Sequence, residues 1–149
     1  MDKNVRNPGK NMTEPFEARC LCGGIQLNYS GEIGPANYCH CADCRRITGS
    51  AFNIGVRVER KDLRVTAATE LRRYHYVSDN GREIERYFCG TCGSPIFTLH
   101  PHKPEQAWVK AGIINQPEIV RPTHENWLKE KVPWATINVT ESFEESRKA

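Results

Sequence analysis

Seven cysteines fall in three tight groups along this chain, and any fold must account for them. Cys20 and Cys22 form a C-x-C pair followed by two glycines. Cys39, Cys41 and Cys44 form a C-x-C-x-x-C triplet, and Cys89 and Cys92 form a C-x-x-C pair followed by Gly93. An odd number of thiols leaves one over in any disulfide framework. The opening stretch, MDKNVRNPGKNMTEPFEARC, lacks the apolar core of a signal peptide, so the expectation is a cytoplasmic protein with reduced thiols. The sequons beginning at Asn11, Asn28 and Asn138 then carry no glycans. Metal binding or thiol chemistry is the better reading of the cysteines.

Spacing divides the sulfurs into four and three. Two thiolates three apart hold one ion only where the backbone turns tightly, and the glycines around Cys89 and Cys92 relieve that turn. This knuckle offers two of the four ligands that tetrahedral zinc requires, and Cys20 with Cys22 offers the other two. A metal there would staple the first expected strand to the sixth. Closing so long a loop is tolerable because the entropy penalty grows only logarithmically with length. Such a site is closed and structural. The triplet supplies three ligands and leaves a fourth position to water or substrate, as in catalytic zinc sites. An ion there acts as a Lewis acid or holds a thiol as thiolate.

Plainer readings stand beside this one. The paired cysteines are alternatively small buried hydrophobes, or, in C-G-T-C, a redox dithiol lacking its usual βαβ setting. The triplet is alternatively a second closed site capped by His75, His100, His102 or His124, or an iron–sulfur ligand set. His40 lies between two ligands and, in an extended piece, would point the other way. Arg45 and Arg46 are solvated charges or, following the triplet directly, candidates to meet an anionic substrate. Trp108, Trp127 and Trp134 read as core or pocket wall.

The 149 residues are one domain's worth of chain, 38% hydrophobic and 26% charged, hence globular. A net charge of +3 is too small to imply nucleic acid or an anionic membrane, and no apolar run approaches the ~20 residues of a membrane span. The expected organisation is a flexible arm over 1–15, a zinc-binding β domain over 16–140 and a loose tail over 141–149, with Met12 a possible natural start. Alternating patterns in FEARCLCGGIQLNYSG, SAFNIGVRVER, DLRVTA, RRYHYVS, REIERYFC, SPIFTLH and QAWVKAGII read as strands. SDNG reads as a hairpin turn with positive φ at both Asn80 and Gly81. CADCRRIT and HENWLKEK each offer one helical turn. The class is all-β with antiparallel pairing.

The order C-x-C-G at Cys20–Gly23, C-H-C-x-x-C-R-x-x-x-G-S-x-F at Cys39–Phe52, then YVSDNGREIERYFCGTCGSPIF and THENWLKEKVPW, closely resembles the glutathione-dependent formaldehyde-activating enzyme family. The resemblance runs from about Cys20 to Trp134. It implies a β-tent of antiparallel sheets with two zinc ions, one structural on Cys20, Cys22, Cys89 and Cys92, one labile and catalytic on Cys39, Cys41 and Cys44. It further implies a carbon–sulfur lyase activity joining glutathione to formaldehyde. Arg45 and Ser50 are then candidates to position a glutathione carboxylate. Two other classes remain: a non-catalytic zinc module, and a thiol sensor that releases zinc on oxidation.

Overall fold

The computed structural model describes residues 15–136, 139, 141 and 143–145. The expected arm, apart from Pro15, and most of the expected tail lie outside the described residues, as do Met12 and Asn138. Ten strands and one helix make two sheets around a single core. The first strands, β1 (Phe16–Arg19) and β2 (Ile25–Tyr29), form a hairpin that pairs through β2 with β5 (Leu63–Ala67). Their inward residues Phe16, Ala18, Ile25, Leu27 and Tyr29 are almost wholly buried, while the alternate residues are exposed. This is the period-two pattern of a sheet wetted on one side.

The larger sheet has seven strands. In chain order they are β3 (Ala36–Cys39), β4 (Asn53–Glu59), β6 (Leu71–Val77), β7 (Glu83–Cys89), β8 (Pro95–Leu99), β9 (Gln106–Lys110) and β10 (Pro122–Asn126). In space the order is β10-β3-β4-β9-β8-β7-β6. One face presents Ala36, Val56, Val58, Phe97, Leu99, Ala107 and Val109, which join the small sheet's apolar face in one core cluster. The other face lines a cleft. There β4 contributes Asn53, Gly55 and Arg57, β7 Ile84 and Arg86, β8 Thr98, with His100 just after it, and β9 Trp108. Alternation along each strand therefore sends apolar residues to the core and polar ones to the cleft.

Three expectations change. All pairings but one are antiparallel: β10 runs parallel to β3, with Asn126 opposite Cys39. His124–Asn126, expected near a helical turn, are thus strand, and only Leu128–Glu130 make a 3-10 turn. In the β6–β7 hairpin only Gly81 has positive φ, at +82°; Asn80 does not. The Asn80 side chain instead accepts from the Arg82 amide, and the Gly81 amide donates to the Ser78 carbonyl. A longer loop closed by one left-handed glycine replaces the two-residue turn.

The helix α1 (Ala42–Thr48) is two turns rather than one. Cys41 caps it, its sulfur accepting from the Cys44 amide at 3.2 Å, and Gly49 ends it at φ +67° with its amide on the Arg45 carbonyl. Among the described residues no helix is long and apolar enough to cross a membrane. Leu27, 1% exposed at the centre of the small sheet, tests where the core lies. Leu27→Ala should cost about 2–5 kcal/mol in denaturant unfolding, whereas Leu128→Ala, on the surface, should stay within about 0.5 kcal/mol.

Candidate functional site

Two sulfur clusters form, with the membership that spacing suggested. Cys20, Cys22, Cys89 and Cys92 bring their Sγ atoms within 4.8 Å of one another. Cys20 and Cys22 belong to the β1–β2 turn of the small sheet, while Cys89 ends β7 and Cys92 sits in the β7–β8 turn of the large one. Because β3 adds a strand, the link joins the first strand to the seventh. Gly23 (φ +79°) and Gly93 (φ +78°) turn the chain directly after each pair, in a region that side chains disfavour. Amides of Ile25 and Gly24 donate to the sulfurs of Cys20 and Cys22, and the Cys92 amide donates to Cys89.

The sulfur separations test whether a metal fits. Sulfurs at about 2.3 Å from a tetrahedral ion lie roughly 3.8 Å apart, far beyond the ~2.05 Å of a disulfide. Cys20 and Cys22 are 3.5 Å apart and Cys22 and Cys89 3.7 Å, and all seven thiols are unpaired. Four soft donors at that spacing suit zinc. A hydrogen bond with the Ser94 hydroxyl holds the Cys92 thiol down at about 5, toward the thiolate a metal requires.

The second cluster is Cys39, Cys41 and Cys44, again within 4.8 Å. Cys39 ends β3, Cys41 caps α1 and Cys44 lies one turn inside it, so a strand-to-helix bend gathers all three. No other His, Cys, Asp or Glu among the described residues joins them. His40 is buried on the opposite side, with Nε2 3.0 Å from Glu125 and its ring edge-on to Phe52. His75 pairs with Glu83 on the surface, and His124 Nδ1 meets the Thr123 hydroxyl. His100 stands edge-on to Trp108 near His102; burial first, and His102 second, push its pKa down to about 4.

The trio opens into a cleft of about 670 Å³ on the polar face of the large sheet. Its lining includes Arg57, Arg82, Arg86, Lys103 and Lys129 against Asp43, Asp79 and Glu130, an excess of positive charge. Arg86 reaches the trio itself: its Nη2 donates to Cys44 Sγ at 3.8 Å and to the Tyr76 hydroxyl at 3.0 Å. Hydrogen bonds with Cys39 and Cys41, with the Arg86 guanidinium beside them, hold the Cys44 thiol down at about 2 against its burial. Cys39, sharing its hydrogen bonds with Cys41 and Cys44, is pushed up instead. The Arg86 guanidinium thus favours the thiolate form at Cys44. Lys110, behind the cleft floor, donates to Asn53 Oδ1 at 2.6 Å; burial, then Arg86, lower its pKa to about 8.

Arg45 and Ser50 lie outside the cleft lining; Arg45 Nε is buried without a partner, and Ser50 is exposed beyond the end of α1. Trp108 and Trp127 line the cleft, while Trp134 is exposed. Trp127 holds φ +61°, the only non-glycine residue with positive φ among those described. A left-handed aromatic costs about 1–2 kcal/mol, and here it places the indole at the cleft beside Lys129. Sequence reasoning missed Arg86, Lys110 and Asn53. Arg86 and Lys110 read as ordinary strand charges, and only the alternation REIERYFC, with Ile84 and Arg86 in phase, signalled an arginine on a covered face.

The fold and site together define an all-β protein with two thiolate clusters, one complete and one open to a cleft. The family model described as glutathione-dependent formaldehyde-activating enzyme matches residues 15–130, and the chain belongs to that family. Three curated relatives each bear the name "Putative glutathione-dependent formaldehyde-activating enzyme". The one from Penicillium rubens is 30% identical over 63% of this chain and 49% of its own length. The one from Podospora anserina is 26% identical over 63% and 44%, and that from Fusarium vanettenii 24% over 57% and 47%. The chain thus spans about half the length of these relatives. A crystal structure of a Rhodobacter sphaeroides protein matches 74% of this chain and 99% of its own, with TM-score 0.57 and 25% identity.

The two clusters should respond differently to loss of one sulfur. Cys92→Ser should lower the melting temperature by more than about 15 °C, or abolish a cooperative transition, because it removes the link between the sheets. Cys41→Ser should keep the melting temperature within about 5 °C. Equal losses in differential scanning calorimetry would show that the clusters do not divide the work.

Proposed function

We propose that the chain is a zinc-dependent enzyme of carbon–sulfur lyase type, adding a small thiol of the glutathione kind to an aldehyde such as formaldehyde. The observation that carries this is the convergence of three sulfurs, unjoined by a fourth ligand among the described residues, at the base of a positively lined cleft. The cleft's volume lies within the ~300–1,000 Å³ of small-molecule sites. Cys20, Cys22, Cys89 and Cys92 would hold one zinc that builds the scaffold, and Cys39, Cys41 and Cys44 a second, labile one. When bound there, zinc holds a thiol as thiolate at neutral pH, although the free thiol has a pKa near ~8.5.

The chain's own residues then bind and orient. Thiolate ligands already carry amide and guanidinium donors, so the trio is set before a substrate arrives. Arg57, Arg82, Lys103 and Lys129 suit the carboxylates of an anionic tripeptide, and Trp108 and Trp127 supply apolar wall. Arg45 and Ser50, proposed from sequence as carboxylate partners, do not line the cleft. Seven free cysteines support, in this reading, a cytoplasmic location. The partners are a small thiol and an aldehyde, not nucleic acid or membrane.

Metal analysis of the purified protein tests this. About two zinc ions per chain should be found, one leaving under mild chelation together with glutathione binding. A single tightly held ion, with all seven cysteines unreactive to thiol reagents, would overturn the proposal.

A further inference from the structure

Arg86 and Lys110 are the buried Lys and Arg residues among those described, at 7% and 6% exposure, and neither meets a carboxylate there. Buried cations are ordinarily paired, because removing an ion from water without a counter-charge is strongly unfavourable. The groups that stand beside this pair belong to the trio: Cys44 Sγ lies 3.8 Å from Arg86 Nη2, and Lys110 bonds to the register partner of Cys39. A divalent ion on three thiolates carries one net negative charge, so two cations over-compensate it. A substrate thiolate added to that centre brings the charges level.

The donors of these side chains are only partly used. Arg86 bonds through Nε and Nη2, and among the described residues nothing accepts from Nη1. Its cross-strand neighbour Thr98 lines the cleft, and the buried Thr98 hydroxyl has no partner. Lys110 is tied to Asn53, which stands opposite Cys39 in the β3–β4 register. Buried donors from β7 and β8 thus line the cleft beside the trio, and Lys110 of β9 lies just behind, opposite the cleft-lining Gly55.

We propose that Arg86 and Lys110, with the Thr98 hydroxyl, form an oxyanion subsite for the aldehyde half of the reaction. This rests on the thiol–aldehyde reading above. The sulfur lone pair forms the C–S bond, and the carbonyl π pair moves onto oxygen. That oxygen then takes a proton from water in the open cleft, replacing the one the thiol shed on binding. Negative charge passes from sulfur to an oxygen two bonds away, and the subsite presents donors where it arrives. The carboxylates of glutathione, many bonds from its sulfur, are too remote for this position and fall to the outer cations.

Mercaptoacetate mimics the adduct, with an anionic oxygen close to its sulfur, and ethanethiol lacks one. In calorimetric titrations of the zinc-loaded protein, wild type should prefer mercaptoacetate by at least about tenfold, as charge-assisted hydrogen bonds imply. In Lys110→Met and Arg86→Lys the ratio should fall at least fivefold, to about two or less, and in Thr98→Val by about threefold. Using the ratio cancels any general effect on thiolate binding, and circular dichroism identifies variants that fold. Arg86→Lys keeps the charge, and Thr98→Val keeps the shape, so the test survives if Lys110→Met fails to fold. A wild-type ratio near one, or one unchanged in the folded variants, overturns the subsite while leaving thiol binding intact. Failure of both thiols to bind wild type overturns the thiol–aldehyde reading itself.

Discussion

Four sulfurs from two distant turns, gathered within 4.8 Å, are what the rest of the architecture depends on. The small sheet and the large sheet share an apolar core, but they come from separate stretches of chain. Direct sulfur contact ties the β1–β2 turn to the β7–β8 turn across 67 residues. Additional bonds follow the same seam: the Leu21 amide donates to the Ser94 hydroxyl, and Thr69 Oγ1 lies 3.7 Å from Cys89 Sγ. Gly24 is bound to the seam by its hydrogen bonds and by space, since a Cβ there would come within 2.3 Å of Thr69. Fixing these turns fixes how one sheet leans over the other.

Once the core side of the large sheet is committed, its other face is committed as well. Successive residues of a strand point to opposite sides, so Val56 and Val58 in the core place Gly55 and Arg57 at the cleft. The same logic in β7 and β9 turns Arg86 and Lys110 toward the trio. The parallel strand β10 then closes one side, bringing His124, Asn126 and the strained Trp127 to the rim. Polar cleft and hydrophobic core are thus two sides of one sheet.

Much of this was legible in the residues. Paired spacings and flanking glycines divided the cysteines into four and three, and eight of the ten described strands stand out by alternation or by bounding turns. What eluded sequence reasoning depended on partners far away in the chain. β10 is short, polar and exposed, with no apolar alternation of its own; it is a strand because β3 offers it a free edge. Asn80 carries a positive-φ signal that the loop does not use, because its side chain satisfies the Arg82 amide instead. In α1, the Thr48 hydroxyl on the Cys44 carbonyl supports the second turn, and Glu130 accepts from the Ala42 amide at the first.

The sequence by itself determined which atoms can bind metal, because ligand spacing within a turn is a local property of a few bonds. It also determined the all-β class, since alternation is written residue by residue. Only the tertiary structure decided what surrounds the open trio. Arg86, Thr98 and Lys110 come from three strands, and which of them reaches Cys44, as Arg86 does, is a matter of register between strands. Charge in a strand looks the same on paper whether it faces water or a thiolate; burial against a particular neighbour makes the difference.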